Sequence, residues 1–111
     1  MQESERLKGE SRTPYTDFSV DLEKSKGRSI LFDAVVVETR TDSHTTVLLL
    51  NVSSGCSREN CLARVIYGAR LSLKKDQTVT VSGTVAGAVD GPRTGTKIPE
   101  LRADLVVRRS P

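Results

Sequence analysis

Hydrophobic and polar positions alternate with a period of two along most of this chain. The clearest stretch is 71–87, LSLKKDQTVTVSGTVAG. Val79, Val81 and Val85 share one register with Gly83, while Thr78, Thr80, Ser82 and Thr84 fall between them. Such alternation sends one set to a core face and the other to water, and β-branched Val and Thr fit the pleated surface. Gly83, inside the strand, predicts a kink or bulge, the device that curls a small sheet into a barrel.

The same period marks four more strands. Residues 28–41 alternate Ile30, Phe32, Ala34 and Val36 against Leu31, Val35 and Val37. Both faces are apolar in the middle, so this strand is covered on both sides or sharply bent. Thr41, Asp42, Ser43 and His44 compose a turn, followed by strands over 45–52 and 62–68. The connection 69–77 is too short and polar for a crossover helix and has room for at most a single helical turn. Residues 90–95, DGPRTG, read as an open loop. Pro99 opens a fifth strand over 100–108, with Leu101, Ala103, Leu105 and Val107 inward. Ahead of all five, Phe18, Val20 and Leu22 alternate and favour a short strand, although Tyr15, Phe18 and Leu22 also fit helical spacing. Either way they supply an apolar flap over the core.

Five strands with short connections and no βαβ unit exclude a doubly wound sheet and suit an all-β fold, a five-stranded Greek-key barrel of the OB type. A β-sandwich is the runner-up, but about seven strands are expected there. Residues 1–14 are polar and mixed in charge and read as a flexible N-terminal tail; residues 15–111 form the barrel domain.

The run 73–85, LKKDQTVTVSGTV, resembles the fourth strand of OB-fold proteins of the anticodon-binding-like (tRNA_anti-like) group, in which a polar turn leads into V-x-V-x-G-x-V. Asp76 keeps that turn's acidic residue, and Lys75 stands where glycine is common. Residues 33–38, DAVVVE, are similar to the matching first strand. The resemblance covers roughly 28–108. It implies the OB fold and leaves the ligand open, because one fold hosts many functions.

Composition narrows the classes. At 111 residues the chain suits one domain, and no apolar run approaches the ~20 residues that span a bilayer. The first 28 residues are electrically neutral, so the net charge of +3 belongs to the folded part. That excess falls short of the basic stripe of an electrostatically driven nucleic-acid binder.

Cys56 and Cys61 are the only cysteines and flank the tip between the second and third strands. A disulfide locking that tip is the reading carried forward, at roughly 2 kcal/mol on a loop-closure argument. Two free thiols, or a metal or redox pair, are the alternatives; two Cys with one remote His make a poor zinc set. A disulfide points to an oxidising compartment, either the periplasm, the cell envelope or the extracellular space, and free thiols to the cytoplasm. The N-terminus lacks the layout of a secretory signal, so export implies a precursor with a leader.

His44 reads as a solvated turn residue, and the acidic residues show no paired-carboxylate spacing. No phosphate-cradling loop is present, because 91–95 opens onto a strand. Catalysis, a metal and a cofactor are therefore not expected. An OB groove lies over strands two and three and the adjoining loops, where this chain offers Arg40, Arg64, Tyr67, Arg93 and Lys97. These are the candidate ligand-binding residues of a non-enzymatic interaction module that holds a protein or cell-envelope component. Single-stranded nucleic acid is the alternative; it needs stacking platforms, and Tyr67 is the only aromatic residue in the groove strands.

Overall fold

A computed structural model of the chain describes residues 12–19, 22–53, 56, 61–92 and 95–109. The strands are β1 (Ser29–Thr41), β2 (Thr46–Val52), β3 (Leu62–Tyr67), β4 (Thr78–Asp90) and β5 (Lys97–Arg108). They close into one barrel in the order β1-β2-β3-β5-β4, with β4 returning to β1. All pairings are antiparallel except β3 with β5. This is the OB-type barrel.

Alternation produces the core. Phe32, Ala34, Val36, Leu48, Leu50, Ala63, Val65, Val79, Val81 and Leu101 are fully buried. Gly83 is the point at which β4 bends. A Cβ there would lie 2.5 Å from the Arg102 carbonyl oxygen and 3.0 Å from Ala103 Cα, so only glycine lets β5 approach this closely. The β4–β5 ladder shifts register between Ser82 and Gly83.

That shift corrects the expected inward face of β5. Ser82 pairs with Leu105 and Gly83 with Ala103, so Asp104 is an extra residue. An inserted residue exchanges the two faces beyond it. Ala103 and Val106 therefore pack on the core, in place of Leu105 and Val107. β5 also begins at Lys97, ahead of Pro99, because the hairpin with β4 continues through Val89–Ile98 and Asp90–Lys97 pairs.

Residues 15–19 and 22–25 are helical, α1 (Tyr15–Ser19) and α2 (Leu22–Ser25), where a short strand was the favoured expectation. β4 lines one edge of β1 over 29–35 and β2 the other over 34–41, and Thr13 bonds to Leu31 beyond the reach of β2. The helical spacing instead brings Tyr15 and Phe18 onto the barrel together. Phe18 is fully buried 5.6 Å from the Phe32 ring, and Tyr15 meets it edge-on at 5.4 Å. The Tyr15 hydroxyl donates to the Leu62 carbonyl at 2.8 Å. Val20 and Asp21 lie outside the described residues.

Contacts of the folded unit reach back to Arg12, inside the stretch read as tail. Thr13 N–H donates to the Leu31 carbonyl at 2.6 Å, and Leu31 N–H donates to Thr13 Oγ1 at 3.2 Å. On that second apolar face of β1, Leu31 is buried and Val35 and Val37 are half-buried. Arg12 Nε donates to both carboxylate oxygens of Asp33 at 3.1 Å. Thr80 Oγ1 donates to Asp33 Oδ1 at 2.6 Å, and Arg109 Nε donates to Thr80 Oγ1 at 2.7 Å.

The connection 68–77 contains no helix. Buried Thr46 fastens it, donating from Oγ1 to the Ala69 carbonyl and accepting from Leu71 N–H, both at 2.9 Å. It ends in a tight turn at Lys75 and Asp76, where Asp76 takes a left-handed φ of 72°. Short polar Asp tolerates that conformation better than most residues.

Candidate functional site

The outward positions of β2 and β3 form the floor of a cleft. Leu49 stands opposite Arg64 and Val47 opposite Ile66, and all four lie on the face away from buried Leu48, Ala63 and Val65. One wall is Glu38 and Arg40 of β1. A register shift between Val36 and Glu38 turns them to this side. The other wall is Asp90, Gly91 and Pro92, where β4 turns toward β5. The enclosed space is about 400 Å³. Gly91 packs closely in that wall, where an added Cβ would lie 3.1 Å from Ile98 Cγ2.

Electrically the face is balanced. Arg64 Nε lies 3.6 Å from Glu100 Oε2, across the parallel β3–β5 pair. Arg40 lies 3.6 Å from Glu38 on its own strand. Lys97 pairs with Asp90 at the base of the hairpin. Three cations thus stand beside three carboxylates. Exposed pairs of this kind contribute at most ~1 kcal/mol each to stability. Their effect on recognition is larger, because any anion that reaches the cations also meets the carboxylates.

Of the expected residues, Arg40 and Arg64 line the cleft together, and Lys97 stands beside its Asp90 wall. Tyr67 does not join them. It shares the register of Ala63 and Val65, the core-facing positions of β3, and pairs with buried Thr46. Arg93 lies outside the described residues. The members that composition did not suggest are apolar Val47 and Leu49 and the acidic Glu38, Asp90 and Glu100. A signal for Leu49 was present, because 47–50 is an apolar run in a strand with only one buried face.

All four aromatic rings of the chain are placed elsewhere. Tyr15, Phe18 and Phe32 form the plug, and Tyr67 follows the interior register. Burial raises the Tyr15 phenol above its ordinary value of 10.0. In the turn before β2, Asp42 accepts from His44 N–H at 2.8 Å and Thr45 N–H at 2.7 Å. These bonds hold its carboxyl below the usual carboxylate range. His44 is exposed there. No group of three or more His, Cys, Asp or Glu side chains suited to a metal occurs among the described residues.

Cys56 and Cys61 are joined, with Cα atoms 6.4 Å apart, inside the range that a disulfide spans. Cys61 belongs to the core, and its carbonyl accepts from Val52 N–H at 2.8 Å. No described helix is long and apolar enough to cross a membrane.

The barrel order, the kinked β4 and the cleft over β2 and β3 define an OB-fold domain. No protein-family model matches the chain, and no curated protein matches it. Among solved structures it is similar to a chain assigned as an aspartyl-tRNA synthetase from Leishmania major Friedlin. The TM-score is 0.62 and the identity 17%, over 89% of this chain. It spans 21% of that longer chain, so the likeness is one of fold.

Proposed function

We propose that this domain is a non-enzymatic interaction module that holds a protein segment in the cleft over β2 and β3. The observation that carries this reading is the make-up of the face: an apolar floor of Val47 and Leu49 with Arg40, Arg64 and Lys97 each beside a carboxylate around it. A peptide with an apolar side chain between charges of both signs complements such a surface. A polyanion does not, because Glu38, Asp90 and Glu100 repel it. A cell-envelope or extracellular setting accords with the disulfide.

Panning a random peptide library tests the reading. Selected peptides are expected to share an apolar anchor and to lose binding on Leu49→Asp, with the melting temperature kept. Peptides that bind Leu49→Asp as well as the native domain would refute it.

Single-stranded nucleic acid is the second reading, favoured by the similarity to a synthetase chain. Its platforms would each contribute ~1–3 kcal/mol per stacked base, and no ring of this chain stands on the face. Fluorescence anisotropy with a labelled oligonucleotide at two salt concentrations separates the two. The peptide reading expects no binding at low salt; tight binding that weakens steeply with salt establishes the other.

A further inference from the structure

β3 pairs with β5 only from Arg64–Glu100 to Tyr67–Ala103. Beyond Ala103, β5 runs on through residues 104–108, DLVVR, with β4 on one side and no strand on the other among the described residues. The connection 68–77 packs Leu71 and Leu73 on the core but gives this stretch no backbone hydrogen bond. Asp104 and Arg108 are exposed and have no ion pair among the described residues, while Leu105, Val106 and Val107 are half-buried.

The direction of the free groups follows from the ladder. Arg109 N–H donates to the Thr78 carbonyl, so 109 and 78 form a hydrogen-bonded pair. Antiparallel pairs alternate, so Val107–Thr80 is bonded and Arg108–Val79 and Val106–Val81 are not. Val106 and Arg108 therefore direct N–H and C=O away from β4. A strand edge of this kind is a template for another strand.

We propose that residues 104–108 form a two-fold symmetric dimer edge, pairing antiparallel with the same segment of a second copy. The segment is its own complement. Centred on Val106, the register sets Asp104 opposite Arg108 of the other copy, twice, and Leu105 opposite Val107, twice. Val106 faces itself and closes two N–H···O=C bonds. Both copies present one patch, the closed arrangement of a two-fold interface. It leaves the cleft over β2 and β3 open, so the dimer carries two such clefts.

Sedimentation velocity over a concentration series tests this with three chains: native, Arg108→Asp, and Asp104→Arg with Arg108→Asp together. The native chain is expected to dimerise by ~0.5 mM, a weak affinity suited to a short edge. The single variant sets like charges opposite each other at two places and weakens the dimer about tenfold or more. The double variant restores opposite charges in the reversed sense and returns the dimer to within about threefold of native. Circular dichroism confirms that all three fold. A native chain monomeric throughout the series overturns the proposal, as does a single variant that dimerises like native or a double variant that stays as weak as the single.

Discussion

Gly83 and Asp76 show how single backbone positions set the barrel. A methyl group at Gly83 meets carbonyl oxygen and Cα, neither of which can swing away. Gly83→Ala is expected to cost ~1–3 kcal/mol, the range for forced overpacking, read as a lower urea midpoint at unchanged slope. Asp76 holds a φ that glycine adopts without penalty. Asp76→Gly is expected to be neutral or stabilising by up to ~1 kcal/mol, and Asp76→Val to destabilise by ~1–2 kcal/mol, in the same assay. Two titrations follow from local contacts. Asp42 has a depressed folded pKa, so its contribution is present above the ordinary carboxylate range and is lost as pH falls through the folded value. The amide shifts of His44 and Thr45 should report that loss at a pH below 3.8. Tyr15 has a raised value, so its contribution is full below 10.0 and is lost as pH rises through the folded value. Its phenolate absorbance should appear only above pH 10.0.

At the scale of elements, the strands were legible because alternation is a local property. Val79, Val81 and Val85 announce β4 without knowledge of what they touch, and Gly83 announces its bend. The cysteine pair was legible for a similar reason, being close in sequence at the tip of one hairpin. Thiol titration of the unreduced, denatured protein is expected to find no free thiol. Replacing both cysteines with Ser is expected to cost about 2 kcal/mol. The helices α1 and α2 were not legible as such. Phe18 and Leu22 satisfy both periods, with Val20 completing the strand pattern and Tyr15 the helical one, so local sequence does not decide between them. The inner face of β5 was misread beyond Ala103 because a bulge leaves no mark in composition, and Asp104 looks like any polar strand residue. The orientation of Tyr67 stayed open in the sequence, since alternate positions of β3 face core and groove and only the pairing with β2 tells which.

For the whole molecule, closure and charge matter more than any one contact. The candidate basic residues were visible as a list, but their meaning changed when each acquired a carboxylate neighbour. Arg64 and Glu100 are far apart in sequence and meet only through the parallel pairing of β3 and β5. Among the described residues, Arg40, Arg64 and Lys97 thus each face a carboxylate. Glu38→Gln with Glu100→Gln is therefore expected to create oligonucleotide affinity that the native domain lacks, measurable by anisotropy at low salt and lost at about 0.2 M salt.

The Asp33 and Thr80 contacts have one more consequence. They bring Arg12 and Arg109 together through two neighbouring side chains, although these arginines stand at opposite extremes of the described fold. The stretch from 12 to 109 is thus nearly a ring in space. A short Gly-Ser bridge from 109 to 12, with new ends cut at the exposed turn 42–45, should yield a circular permutant that melts cooperatively near the parent temperature.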